Sequence, residues 1–249
     1  MENTDLISKI ILVVDDEESI REILKYNLER EDFQVVLAED GEEAIEKCKD
    51  VLNKPDLVLL DVMLPKKDGV NVCKEIRYNL NMRDVPILMI SAKGEETDKI
   101  IGLEIGADDY ITKPFAVREV IARVKANLRK TINTRIALSE EDCQIIQIGD
   151  LVIDSKRREV TIRGKKIELT KKEFDVLRFL AVQPGTVVSR EDLLKKVWGY
   201  GEYVGEIRTI DVTMARLRDK IESKKGTPEF LITKRGVGYY LRETSKKEQ

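Results

Sequence analysis

At 249 residues, 42% hydrophobic and 37% charged, the chain is long enough for two ordinary domains and more charged than most soluble proteins. Cys48, Cys73 and Cys143 are too few and too widely spaced for a disulfide framework or a zinc site, and the absence of histidine excludes His-based triads and His-ligand metal sites. Any metal must therefore be held by oxygen ligands. No apolar run approaches the roughly 18 residues of a membrane span. The opening "MENTDLISK" lacks a signal peptide's basic start and apolar core, so a cytoplasmic protein without membrane partners is expected. The net charge of −3 conceals an asymmetry: residues 147–249 carry 23 Lys+Arg against 16 Asp+Glu, and residues 1–146 carry 21 against 31. An acidic half joined to a basic half points to two tasks, the basic one facing a polyanion.

In chain order, the first half alternates strand and helix signals. "KIILVV" reads as a strand ending at Asp15-Asp16, and "SIREILKYNLER" as a helix with Ile20, Ile23, Leu24 and Leu28 on one face. "FQVVLA", "DLVLLD", "VPILMIS" and "DYIT" are further strands. "GEEAIEKCK", "GVNVCKEIRYNL", "TDKIIGLEIG" and "VREVIARVKANLRK" are the helices that follow them. Strands this apolar are buried on both faces, as in a parallel sheet sandwiched by helices. The expected fold of residues 9–129 is an α/β doubly wound, five-stranded parallel sheet of flavodoxin type.

From about residue 130 to 146 the pattern is polar and aperiodic and reads as a linker. Residues 147–243 then give short strands, "LVID", "EVTIRG" and "KKIEL", followed by three helices. Thr170 with Glu173 forms a capping box, Pro184-Gly185 ends the first helix, and Ser189 and Gly199 bound the second. The third, "RTIDVTMARLRDKIES", buries Ile210, Met214, Leu217 and Ile221. It leaves Arg208, Asp211, Val212, Thr213, Ala215, Arg216 and Arg218 on the other side. A final pair of strands surrounds a Lys234-Arg235-Gly236 turn.

In "VLLDVMLPKKDG" an apolar strand ends on Asp61. Taken alone, that aspartate reads equally well as a turn or cap residue. Yet Asp15 and Asp16 follow the first strand, Ser91 ends the fourth and Lys113 follows the fifth. The carboxyl edge of an open α/β sheet brings such residues together. Three carboxylates repel one another unless a cation intervenes, and oxygen ligands suit Mg²⁺. With Lys113 to balance a phosphoryl group and Ser91 to hydrogen-bond it, Asp61 becomes a candidate nucleophile. On the third carboxy-terminal helix, arginines and small groups suit the major groove, against the plainer reading of a solvated charged face.

"VVDDE", "LLDVMLPKKDG", "MISAKG" and "GADDYITKPF" resemble the receiver domain of two-component response regulators. That resemblance implies a phosphoryl group accepted on Asp61 from a sensor histidine kinase. It implies Mg²⁺ held by Asp16, Asp61 and the Met63 main-chain carbonyl, with Asp15 assisting through water. Lys113, before a proline joined by a cis bond in this family, would contact the phosphoryl group, and Ser91 and Tyr110 would form a switch pair. "LTKKEFDVLRFL", "VVSREDLLKKVWG", "RTIDVTMARLRDKIE" and "TKRGVGYYL" resemble the OmpR/PhoB-type α+β winged-helix domain, with a four-stranded amino-terminal sheet. It implies binding to double-stranded promoter DNA through Arg208, Val212, Thr213, Arg216 and Arg218, with Lys234 and Arg235 on the wing. RNA polymerase is a further expected partner.

The family also implies a phosphorylation-driven homodimer through the last receiver elements. Lys99, Leu103, Glu104, Asp108 and Asp109 would face Glu119, Ile121, Arg123 and Lys125. The function expected is a phosphorylation-controlled transcriptional regulator on tandem half-sites, losing its phosphate slowly rather than turning over. A phosphatase of haloacid-dehalogenase type needs a second aspartate where Met63 stands. A degenerate receiver would lack the set Asp15, Asp16, Asp61, Ser91 and Lys113.

Overall fold

The computed structural model describes residues 9–50, 53–80, 82–92, 105–128, 145–199, 207–223 and 227–243. The chain divides into two compact units, Met1–Lys130 and Thr131–Gln249.

In the first unit the strands are β1 (Ile10–Val14), β2 (Gln34–Ala38), β3 (Leu57–Asp61), β4 (Ile87–Ala92) and β5 (Asp109–Lys113), in the order β2-β1-β3-β4-β5 and all parallel. Helix α1 (Glu18–Glu29) follows β1, α2 (Gly41–Lys49) follows β2, and α3 (Gly69–Lys74) follows β3 and runs into a π-helical turn at Glu75–Asn79. After β5 comes α4 (Val117–Leu128). The helix expected over "TDKIIGLEIG" lies outside the described residues except for Ile105, which is helical, and Gly106. Strands β1 and β3 are buried on both faces because their side chains alternate between two helical layers. Ile11, Val13, Leu57 and Leu59 meet Leu24 and Leu28 of α1 and Val120 and Val124 of α4 on one side. This is the doubly wound fold, with its carboxyl edge where Asp15, Asp61 and Lys113 sit.

The second unit opens with an antiparallel sheet of β6 (Ile145–Ile148), β7 (Leu151–Asp154), β8 (Glu159–Ile162) and β9 (Lys165–Ile167). Strand β6 begins inside the stretch read as linker. It is short, and Ile145 is 65% exposed, so its alternation carries little signal. Helix α5 (Lys171–Ala181) starts on the capping box of Thr170 and Glu173. Helix α6 (Arg190–Leu193), capped by Ser189, continues as a π-helical turn to Trp198 and stops at Gly199 in the left-handed conformation. Helix α7 (Arg208–Ile221) is followed by β11 (Leu231–Lys234) and β12 (Gly238–Leu241). With β10 (Val188–Ser189) these strands form a second sheet in the order β10-β12-β11. Ile210, Met214, Leu217 and Ile221 are buried along α7. A three-helix core between two small antiparallel sheets, with a hairpin after the third helix, is a winged helix.

Candidate functional site

Parallel register places the acidic residues of the first unit at one edge. Asp61, the last residue of β3, is level with Ile90, and Ser91 and Ala92 of β4 are level with Thr112 and Lys113 of β5. Asp15, Asp61 and Ser91 are buried, whereas Asp16 is exposed. The Lys113 ammonium donates to Asp61 Oδ2 at 2.5 Å and to Asp15 Oδ2 at 2.9 Å, and lies 3.5 Å from Glu17. The other Asp61 oxygen accepts the Met63 N–H at 2.9 Å, and the other Asp15 oxygen accepts the Glu17 N–H at 3.0 Å. Arg21 ties down the β1–α1 turn by donating to the carbonyls of Asp15 and Asp16 at 2.7 and 2.9 Å. Arg21 carries no signal in the sequence, because it sits on α1 among other charged residues.

The electrostatics of the cluster are lopsided. Carboxylate oxygens of Asp15, Asp16 and Asp61 lie within 4.8 Å of one another, with one ammonium against three negative charges. Burial pushes the Asp15 carboxyl up to about 6, with the Asp61 charge adding and the Lys113 and Glu17 hydrogen bonds opposing. Burial alone would lower the Lys113 ammonium, but its hydrogen bonds to Asp15 and Asp61 hold it above the ordinary lysine range. A hard divalent cation with all-oxygen ligands fits this donor set, and exposed Asp16 leaves room for water on it. Lys113-Pro114 is a cis peptide. The Tyr110 ring is buried.

The loop after Asp61 is fitted to it closely. A Cβ on Gly69 would lie 2.0 Å from the Asp61 carbonyl oxygen, and the Gly69 N–H donates to Val62 O at 2.9 Å. The side chain of Met63 is 60% exposed.

The residues expected on a dimer face are placed differently from the sequence reading. Lys99, Leu103 and Glu104 lie outside the described residues. Asp108 is buried and paired with Arg77 at 2.6 Å, while Arg77 also donates to the carbonyls of Gly106, Met82 and Val85. Asp109 is buried too, and Arg123 donates to both its oxygens at 3.0 and 2.9 Å while also holding Glu119 at 2.7 Å. Lys125 pairs with Glu31, and Ile121 packs partly buried against the α1–α4 core. These charges are thus committed within one chain, because Asp108 and Asp109, at the start of β5, lie against Arg77 of the π-helical turn after α3 and Arg123 of α4. Arg77 was invisible as a partner, being 31 residues from Asp108 with no local pattern joining them.

Helix α7 buries several of the residues expected to read DNA. Arg208, Asp211, Ala215 and Asp219 are exposed, but Val212, Thr213 and Arg216 are buried. The Arg216 guanidinium lies 2.7 Å from Glu173, which is fully buried, and also donates to Thr170 Oγ1 at 3.3 Å. Thr213 donates to the Thr209 carbonyl at 2.8 Å. Arg218 turns to the wing, donating to Leu231 O at 3.2 Å and to Thr233 Oγ1. The apolar stripe is wider than four residues, since the helix is covered by α5 on one flank and the wing on the other. Lys234 and Arg235 are exposed at the hairpin tip. Arg190, Asp211 and Tyr239 connect α6, α7 and the wing: Arg190 donates to Asp211 at 2.7 Å and Tyr239 donates to the same oxygen at 2.5 Å.

An acidic, lysine-bearing edge on a doubly wound sheet, joined to a winged helix, defines a response regulator. The comparisons agree. Residues 11–125 match the response regulator receiver domain, and residues 164–241 match the carboxy-terminal domain of transcriptional regulatory proteins. The chain is 32% identical to DrrB, an OmpR/PhoB homologue from Thermotoga maritima, over 95% of this chain and 100% of that one, with a TM-score of 0.48. It is 26% identical to a mutant of RitR over the same shares, with a TM-score of 0.72. It is 34% identical to the BeF3-activated receiver domain of Klebsiella pneumoniae RstA, over 49% of this chain and 100% of that one, with a TM-score of 0.45. The chain belongs to the OmpR/PhoB family of response regulators. It is a phosphorylation-dependent transcriptional regulator whose receiver serves a phosphodonor kinase and whose second domain binds DNA. No helix among the described residues is long and apolar enough to cross a membrane.

Proposed function

We propose that Asp61 is the phosphoacceptor for a sensor histidine kinase. The observation that carries this is the Lys113 ammonium bridging Asp15 and Asp61, from three separate strand ends. An Asp61 carboxylate oxygen bonds to phosphorus as the phosphorus–nitrogen bond of a phosphohistidine breaks. The departing imidazole nitrogen keeps the electron pair and takes up a proton. Lys113, released from Asp61, then neutralises phosphoryl oxygens. Asp16, Asp61 and the Met63 carbonyl, with Asp15 through water, are the ligands proposed for Mg²⁺, which offsets the charge of acceptor and donor when bound. Ser91 hydrogen-bonds the phosphoryl group and Tyr110 follows it as a switch. The protein acts in the cytoplasm and holds its phosphate rather than turning over a substrate. Acetyl phosphate with Mg²⁺ should add one phosphate per chain, and mass spectrometry should place it on Asp61; label on any other residue contradicts the assignment.

Phosphorylation, in this reading, favours a two-fold dimer of receivers. Asp109 and Arg123 already pair within the chain, so exchanging partners across the axis gains little. The net free energy must then come from apolar contact. A dimer presents two winged helices to tandem half-sites about one helical turn apart, roughly 10–11 bp, where RNA polymerase can be engaged. The DNA contacts proposed are narrowed to the exposed set: Arg208 on α7, Ala215 against a thymine methyl, and Lys234 and Arg235 on the wing. Sedimentation at tens of micromolar tests the dimer; a phosphorylated protein that stays monomeric there contradicts it.

A further inference from the structure

The loop that leaves Asp61 is pinned to a different helix by an ion pair. Lys66, in the middle of that loop, reaches the Asp40 carboxylate at 2.5 Å. Asp40 is the amino-terminal cap of α2: its Oδ1 accepts the N–H groups of Glu42 and Glu43, both at 2.9 Å, and its Oδ2 is the oxygen that Lys66 takes. The Asp40 side chain is only 5% exposed and is held by the two α2 N–H groups, whereas the Lys66 side chain is 57% exposed, so the anchor is fixed at the Asp40 end and Lys66 reaches it from the surface. Lys66 meets it from a left-handed backbone, φ 61°, which a residue with a Cβ adopts at a cost. The backbone is pressed home beside it. A Cβ on Gly41 would lie 2.1 Å from the Lys67 carbonyl oxygen, so the loop rests directly on the first residue of α2. Gly69 fixes the far end of the loop against the Asp61 carbonyl. Between these two seats lies Met63, whose N–H holds one Asp61 oxygen.

We infer that Asp40 and Lys66 are positioning residues for the phosphoacceptor loop, and that their pairing sets how tightly the acidic edge holds a divalent cation. This rests on the reading of Asp15, Asp16, Asp61 and the Met63 carbonyl as a Mg²⁺ site. Neither residue belongs to that ligand set. Their effect passes through the backbone: with the clip made, the short segment from Met63 to Lys66 has little freedom, and its carbonyls keep their place near the carboxylates. With the clip lost, the loop has only its glycine seats, the ligand carbonyl wanders and the cation is held less well.

Isothermal titration of the full-length chain with MgCl₂ tests this, alongside acetyl phosphate labelling across a range of Mg²⁺. Lys66→Gln should weaken Mg²⁺ binding by about tenfold, the low end for a residue that positions a ligand. Labelling should return to the wild-type extent once Mg²⁺ is saturating. Lys66→Arg should bind as wild type does. Lys66→Gly relieves the backbone but lacks the ammonium, and should behave like Lys66→Gln. Asp40→Asn keeps a good helix cap while removing the charge, so it should give the same shift with an unchanged melting temperature. The double variant Asp40→Asn with Lys66→Gln should bind no more weakly than either single one. Wild-type binding with every variant within twofold of it overturns the clip and leaves the cation site standing, as do independent, multiplying effects in the double variant. A wild type that takes up no Mg²⁺ overturns the cation reading itself, and the clip's role with it.

Discussion

Arg216→Ala separates a structural arginine from a base-reading one. In the sequence Arg216 looks like a major-groove residue; in the structure its guanidinium is packed against Glu173. Glu173 Oε1 accepts from Arg216 at 2.8 Å, while Oε2 accepts from Lys220 at 2.6 Å and from the Thr170 N–H at 2.8 Å. Removing Arg216 strips one oxygen of a fully buried carboxylate of its donor. Breaking a buried pair costs about 3–5 kcal/mol, and Lys220 remains on the other oxygen, so a loss of about 2–4 kcal/mol is expected. That corresponds to a fall in melting temperature on the order of 10 °C for a unit this size. Trp198 is the one tryptophan in the sequence and is buried in this unit, so its fluorescence follows the unfolding of the second unit alone. Burial alone would raise Glu173, but the Arg216 and Lys220 charges outweigh it and hold the carboxyl below its ordinary 4.5. A depressed folded pKa stabilises fully above the unfolded value. The gap between wild type and variant should therefore be widest above about pH 4.5 and close as the pH falls through the folded pKa. Exposed Arg208→Ala should leave stability within about 0.5 kcal/mol and weaken DNA binding. An Arg216→Ala protein as stable as wild type, yet unable to tell cognate from random DNA, would refute this account of Arg216.

Other outcomes are equally specific. Asp61→Ala should take up no phosphate from acetyl phosphate, whereas Cys48→Ser should be labelled as wild type is; the buried Cys48 thiol, pushed up to about 12, should also resist alkylation at neutral pH. Gly69→Ala forces a Cβ to 2.0 Å from the Asp61 carbonyl oxygen, so it should destabilise the receiver by about 1–3 kcal/mol and slow labelling, read by circular dichroism and phosphate gels. The exposed Met63 side chain offers only a weakly accepting thioether, a poor group for orienting an attacking water. The aspartyl phosphate should therefore last minutes or longer, and Met63→Asn should shorten it; an unchanged half-life in that variant would remove Met63 from the account.

The elements that the sequence made legible are those whose signal is local. Apolar strand runs, the Thr170–Glu173 capping box, the Gly199 stop and the acids at successive strand ends all declare themselves within a few residues. What stayed hidden depends on partners distant in the chain. Glu173 was visible as a capping residue, but its second task, holding Arg216, requires α5 and α7 to be packed. Asp108 and Asp109 read as charges of a dimer face, since nothing nearby in the sequence points to pairing with Arg77 or Arg123 within the chain. Lys66 sits in a loop where a lysine is unremarkable until the amino terminus of α2 is brought beside it.

The central claim is that the state of Asp61 controls DNA binding, and one measurement tests it most directly. The full-length protein is used to select binding sites from random double-stranded DNA with Mg²⁺ and beryllofluoride. Affinity for the selected site is then measured with and without beryllofluoride, for wild type and for Asp61→Ala. Wild type should bind at least about tenfold more tightly with beryllofluoride, a coupling of about 1.4 kcal/mol, and Asp61→Ala should not respond. Equal affinity in all four conditions would contradict the account.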